Sequence, residues 1–478
     1  MRFDACRPAP CAGAPTALSA PILLVLLLFP LLLAGCGTEP GAEPAPTSTP
    51  GQPADPGADP DAQPTPEVDP AVAAEIEAIA SHADVQAALA YLERIEPRSL
   101  DELVELTQIP APPFMEEERA AAFADMLRAA GADSVWIDGI GNVIGLRRGT
   151  TGDRTVALDA HLDTVFPIET DVTVQFRGDT LYAPGIGDDT RGLIVVRNVL
   201  EAMVEHDLRT EADLLFIGTV GEEGLGDLRG VKYLFGESGT GEEGLRIDAF
   251  IAVDGGDETR IVNQAVGSHR YRVTFEGPGG HSWGAFGLPN PHNALAAAIT
   301  HFVADADAHT SEGPRTSYSI GRIGGGTSVN SIPFESWMEV DMRSLDNASL
   351  VALDALFQDA MLRGLADENA LRRRGPELTV DVDMVGDRPA GTLDPVTTPL
   401  VQRAMAVVVH QGGAPAVGSG STNANTPISL GIPAITIGRG GEGGGAHSLD
   451  EWWLPVNPHL AAGNALLITL AEGGFGGS

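Results

Sequence analysis

The chain has 478 residues, and 29 Lys and Arg stand against 66 Asp and Glu, a formal net charge of −37. A surface that acidic repels nucleic acid and anionic headgroups, which excludes both as charge-matched partners. The length allows a large core and more than one domain. All three cysteines, Cys6, Cys11 and Cys36, lie near the N-terminus, so a metal site in the body is built from His and carboxylates.

The first segment, 1–35, reads as an export signal. Arg2 and Arg7 precede an apolar run over 22–33, interrupted by Pro30 and too short for a transmembrane span. It ends Leu33-Ala34-Gly35-Cys36, which resembles a bacterial lipobox. That resemblance implies cleavage before Cys36, lipidation of its thiol and an extracytoplasmic lipoprotein held to a membrane by that anchor. Asp4 and the long n-region keep a simply secreted form as the alternative. Residues 36–70 are Pro, Ala, Gly and acidic residues with little else. Such a stretch buries too little to offset its ordering entropy and reads as an extended tether.

The folded body begins near residue 71. Helical periodicity over 71–95 and 99–107 is punctuated by Pro97, and another amphipathic helix over 116–130 is stopped by Gly131. Strands follow over 135–137, 143–146 and 155–158, then a helix over 193–205 and strands over 213–219 and 249–253. This alternation predicts an α/β sheet covered on both faces. Near Gly267 the character changes. A strand over 269–275, a helix over 291–306, strands over 316–323 and 336–343, a helix over 350–368 and a strand over 378–385 give a β-α-β-β-α-β order. That order predicts a two-layer α+β domain over 267–386, inserted between two parts of the larger domain, 71–266 and 387–478. The second part carries a helix over 400–410, a strand over 434–437 and a helix over 459–470.

Chemistry-bearing residues cluster at predicted strand ends. His161 and Asp163 follow the strand over 155–158, two residues apart and leaning the same way. A carboxylate there can take the second ring N–H of a metal-bound imidazole, or the pair can be an ordinary polar edge. Asp188 and Asp189 sit in Gly185-Ile186-Gly187-Asp188-Asp189-Thr190-Arg191-Gly192, where Asp188 also suits a helix N-cap. Glu222 and Glu223 follow the strand over 213–219, Asp254 follows the one over 249–253, and His447 lies in Gly445-Ala446-His447-Ser448. Taken singly, these also read as a charged turn, a turn residue and a loop histidine.

Together, in this order, they resemble the M20 family of co-catalytic zinc peptidases, which includes tripeptide aminopeptidases, glutamate carboxypeptidases and aminoacylases. The resemblance implies a zinc-peptidase-like catalytic domain with a mixed sheet between helices, and two Zn2+ per subunit, with Co2+ or Mn2+ as substitutes. One metal would take His161 and Asp254, the other Glu223 and His447, with Asp188 bridging and a cis peptide after it. A metal-bridging water would attack the amide of a small peptide or N-acyl amino acid. Glu222 would act as general base and Asp163 would orient His161. The inserted domain would form a homodimer, and His281 would reach the partner's site to stabilise the oxyanion. Asn330 and Arg343 match substrate-contacting positions. Asn423 stands where the family often has Asp, which weakens recognition of a substrate amine by that segment.

Two other readings compete. Gly280-His281-Ser282-Trp283-Gly284 fits the G-x-S-x-G elbow of a serine hydrolase, but Pro278 and Gly287, Pro289 and Pro291 crowd the flanking strand and helix it needs. The other is a non-catalytic lipoprotein binding metal or peptide, which has no need for Glu222 beside Glu223. The glycine run 438–445 is followed by no Lys-Ser/Thr, so it is not a P-loop.

Overall fold

The computed structural model describes residues 65–236 and 245–476. The expected signal segment, Cys36 and most of the 36–70 tether lie outside the described residues. The tether's last residues rest on the body: Thr65 Oγ1 donates to the Pro415 carbonyl and Asp69 N–H to Gln402 Oε1, at 3.0 and 2.8 Å. Asp69 then caps the helix Pro70–Ala80. Among the described residues no helix is long and apolar enough to cross a membrane.

The expected break at Pro97 is absent. One helix, Ala83–Thr107, runs through it, and the chain breaks instead at Ser81–His82. A proline inside a helix costs about 3 kcal/mol. Burial of Leu92, Ile95, Leu103 and Leu106 along one face outweighs this, at roughly 1.5–3 kcal/mol for each side chain. The new start is capped by His82, whose ring accepts the Asp84 N–H at 3.3 Å.

A mixed sheet forms the centre. Its order is Ser134–Ile137, Val143–Arg147, Asp213–Thr219, Thr155–His161, Ala249–Val253, Ala434–Ile437, Arg260–Ala265 and Gly391–Thr392, with Ala416–Gly420 also paired to Arg260–Ala265. The four middle strands from Asp213–Thr219 to Ala434–Ile437 are parallel; Val143–Arg147 and Arg260–Ala265 flank them antiparallel. Six helices cover one face: Pro70–Ala80, Ala83–Thr107, Glu117–Ala129, Arg191–Glu205, Pro399–His410 and His459–Gly473. The short helices Arg229–Phe235 and Asn425–Ser429 cover the other. In Thr155–His161, Val156, Leu158 and Ala160 join the first core and Ala157 the second. Strand alternation therefore carries Asp159 and His161 on the Ala157 side. The parallel strands end along one edge, where open α/β sheets place ligands.

The chain leaves this body at Gly267 and returns after Arg388. Between them, the strands Thr316–Gly325, Glu335–Ser344, Gly267–Glu276 and Thr379–Arg388 form, in that order, an antiparallel sheet. The helices Pro291–Thr310 and Asn347–Leu371 pack on it around a separate core containing Val273, Phe275, Phe302, Met338 and Phe357. The molecule is thus an α/β body interrupted by an α+β unit.

Candidate metal centre and its cavity

Six side chains converge at the C-terminal edge of the sheet. Ligand atoms of His161, Asp188 and Asp254 lie within 4.8 Å of one another, as do those of Asp188, Glu223 and His447, and those of His161, Glu222 and Glu223. The first two groups coincide with the two ligand sets named from the sequence, and they share Asp188. His161 Nε2 lies 3.1 Å from Asp188 Oδ1, and His447 Nε2 lies 3.2 Å from Asp188 Oδ2 and 2.9 Å from Glu223 Oε1. The Asp188–Asp189 peptide is cis.

The backbone around these side chains is held by carboxylates. Asp163 was expected to turn its carboxylate to His161; Oδ1 does lie beside the ring, 3.8 Å from Nδ1, but the closer hydrogen bonds of both groups go elsewhere. The ring nitrogen His161 Nδ1 meets the backbone carbonyl of Asp163 at 2.9 Å. The Asp163 carboxylate instead accepts the N–H groups of Glu222 and Glu223 at 2.9 and 2.8 Å. Glu451 does the same for the segment around Asp188, the residue shared by two of these groups, accepting N–H bonds from Gly185, Gly187 and Asp188 at 2.7 to 2.9 Å. Glu451 was missed in the sequence; its only signal was an acidic residue four positions after His447. Arg388 was missed too, and donates to Glu222 Oε1 at 2.9 Å and to the Glu222 carbonyl. Asn423 faces the interior: its amide donates to Asp159 and Thr219 at 2.8 and 2.7 Å. A carboxylate at 423 would face buried Asp159, so the neutral residue answers to packing and not to a substrate amine.

Burial and close charges set the electrostatics. Burial pushes Glu222 up to about 8 despite Arg388, with Glu223 adding to the rise. Burial also raises Glu223, against the His447 hydrogen bond, and Glu451 to about 7, against the three backbone donors. Burial alone would lower His161, but the Asp188 bond and the charges of Asp189 and Glu222 hold it well above its usual value. Bonds to Asp188 and Glu223 raise His447 to about 10. Asp188 is driven the opposite way: burial would raise it, and its two imidazole partners pull it far below the usual carboxylate range. The protons that these carboxylates and imidazoles hold among themselves are what a bound cation would displace.

The cluster opens into a cavity of about 670 Å³. Arg343 lines it, its Nε 2.7 Å from Asp341. His281 and Asn330 do not line it in this chain. They sit together on the inserted unit, where Ser282 N–H donates to the Asn330 carbonyl. The elbow reading fails here. Among the described residues no imidazole bonds the Ser282 hydroxyl, and a turn follows it where a helix would be needed.

A profile described as "Peptidase family M20/M25/M40" matches residues 157–472. The chain belongs to that family. Carboxypeptidase G2 of Pseudomonas sp. (strain RS-16) is 26% identical over 347 residues, covering 70% of this chain and 77% of that protein. The di-peptidase Dug1p from Saccharomyces cerevisiae superposes with a TM-score of 0.64 at 16% identity, covering 81% of this chain and 98% of that one. A Staphylococcus aureus tripeptidase gives 0.63 at 22%, covering 79% and 99%. At those identities the superpositions show the shared fold. Membership in the M20/M25/M40 family makes this chain a hydrolase of peptide or amide bonds, which sets the non-catalytic reading aside.

Proposed function

We propose that this M20-family hydrolase cleaves an amide bond in small peptides or N-acyl amino acids, using two divalent cations, zinc or else cobalt or manganese. Imidazoles and carboxylates from five residues, one of them shared, form a donor set suited to zinc. When bound, such cations polarise a scissile carbonyl and acidify water. His161, Asp188, Asp254, Glu223 and His447 would hold them. Glu222 would take the proton released by water and hand it to the leaving amine. Arg388 fixes its carboxylate in place.

The observation that carries this reading is a buried carboxylate, Glu222, beside His161 and Glu223 and outside both ligand sets that share Asp188. Glu222→Gln is expected to keep its metal content while hydrolysis of a dipeptide, tripeptide and N-acyl amino acid panel falls by about 10²–10⁴-fold. Unchanged turnover would remove Glu222 from the mechanism.

We propose further that the protein is extracytoplasmic and anchored through Cys36, on the strength of Leu33-Ala34-Gly35-Cys36. Fatty-acid labelling lost in Cys36→Ser is the expected result. The inserted unit is proposed to form a homodimer that brings His281 and Asn330 to the partner's cavity. In support, Trp283, Phe286 and Val329 beside them are exposed. A monomer by light scattering whose activity survives His281→Ala would overturn this.

A further inference from the structure

The turn that carries Glu222 and Glu223 is wound through backbone angles that its own residues disfavour. Gly221, Gly224, Asp227 and Leu228 have φ of 66°, 49°, 51° and 59°. Glycine adopts such angles freely, but for an aspartate and a leucine they are sterically unfavourable. Such residues persist only where their surroundings hold them. Leu228 is held by its side chain, which is fully buried in the core with Val231 and Phe235. Asp227 is polar and only partly buried, so its carboxylate must do the holding. Its two oxygens share the Asp387 N–H at 3.0 and 3.1 Å, and Oδ2 also takes Lys232 Nζ at 2.5 Å.

Asp387 lies on Thr379–Arg388, the last strand of the inserted unit, so its bond to Asp227 crosses from one unit to the other. Two more bonds cross beside it. Arg388 grips the Glu222 side chain and carbonyl, and Arg270 Nη1 donates to the Gly224 carbonyl at 2.9 Å. All three land between residues 222 and 227. The strand edge leaves room for them: its pairing with Gly267–Glu276 shifts between Met384 and Gly386, a local irregularity of the kind that bends a strand. A Cβ on Gly386 would lie 3.2 Å from Asp227 Oδ1 and 3.1 Å from Arg270 Cδ. On the body side the turn closes on itself. Gly226 N–H donates to the Glu223 carbonyl at 2.8 Å, and a Cβ on Gly226 would stand 2.5 Å from Gly221 Cα. Backbone packs on backbone there, so a displacement of Asp227 passes to Gly221 and Glu222 with no side chain between to absorb it.

We propose that Asp227 is a positioning residue: it pins the turn to the last strand of the inserted unit, so that this unit sets where the Glu222 carboxylate stands. Asp227 does not line the cavity; it acts through the backbone of the turn. This deepens the amide-hydrolase reading and rests on it for the role of Glu222. The competing role for Asp227 is local, as a residue that steadies the start of Arg229–Phe235 through Lys232.

The test compares the metal-saturated parent with Asp227→Ala and Asp227→Asn on a member of the amide panel. Asp227→Ala is expected to lower kcat by about 10–100-fold. KM and metal content should stay unchanged, so that kcat/KM falls by the same factor. Asp227→Asn, whose amide oxygen still accepts the Asp387 N–H, should recover part of the loss. Hydrogen exchange read by mass spectrometry should speed up over 220–226 in Asp227→Ala. In a Glu222→Gln background Asp227→Ala should cost nothing more, because the group it positions is gone. An unchanged kcat overturns the proposal, as does an equal loss in both backgrounds or faster exchange confined to 229–235. The two readings fail separately. Glu222→Gln at the parent's rate, or no hydrolysis of any panel member, sinks the reading of Glu222 as base, while exchange over 220–226 still reports whether Asp227 holds the turn.

Discussion

Asp163 acts on chain segments far from it in sequence. Its two oxygens take the N–H groups of consecutive residues, Glu222 and Glu223, which divide the proposed roles of base and ligand. Removing the acceptor leaves two buried donors, at about 1–3 kcal/mol each, in the turn that aims both glutamates. Asp163→Ala is therefore expected to lower kcat/KM by about 10–100-fold. His161 should keep its orientation, because its Nδ1 partner is a backbone carbonyl that the substitution retains. Steady-state kinetics with metal analysis checks this: loss confined to metal affinity, with kcat intact, would place Asp163 with the imidazole after all. That these His, Asp and Glu residues cluster was legible only from their order along the chain, since each at its own strand end also reads as an ordinary polar turn. What Asp163 does was not. Spacing shows that two side chains lean the same way, but not that one is captured by a turn sixty residues on. Glu451 and Arg388 escaped for the same reason, since their partners are distant backbone groups.

Elements with strong periodicity were readable. The strand Thr155–His161 shows as a short apolar run buried on both faces, and the helices Arg191–Glu205 and Pro291–Thr310 repeat apolar residues at helical spacing over several turns. The strands Gln175–Arg177, Thr180–Tyr182, Glu442–Gly444 and Trp452–Leu454 form a small sheet beside the site and were not legible. Three residues carry no period, and Glu442–Gly444 has a single side chain to show a face. Contact between the two helices of the inserted unit was equally hidden, because it depends on a residue with no side chain. Gly364 on Asn347–Leu371 faces Pro291–Thr310, and a Cβ there would lie 2.5 Å from Ala298 N, 2.6 Å from Ala298 Cβ and 2.7 Å from the Ala294 carbonyl. Backbone atoms cannot step aside as a flexible side chain would, so Gly364→Ala forces the helices apart. The expected cost is about 1–3 kcal/mol, read as a lower urea midpoint. A raised midpoint, the usual gain from Ala over Gly within a helix, would show that the helices slide without strain.

At the scale of the molecule, the two units face each other across one cavity. The inserted unit contributes Arg270 and Arg343, and the body contributes Asp188, Glu222, Glu223, Asp254 and His447. That gathering of ionisable groups makes the metal-free fold sensitive to pH in a definite direction. Glu222 is held up to about 8 in the fold against a usual 4.5. Between those values the fold keeps a proton that the unfolded chain has released, so this contribution to stability falls as pH rises. His447 is held at about 10 against a usual 6.5. Its stabilisation is complete below the lower value and is lost as pH climbs toward the upper one. The two slopes share a sign, and the opposite slope from depressed Asp188 acts only below its usual 3.8. Chelated protein should therefore melt at progressively lower temperature from about pH 5 to about pH 9. Cations reverse the trend, because they need these groups deprotonated and bind more tightly as protons leave. At 100 times the dissociation constant they add about 2.7 kcal/mol. The gap in Tm between loaded and chelated protein should widen steadily with pH in differential scanning calorimetry. A constant gap would mean that protons and cations do not compete for this cluster.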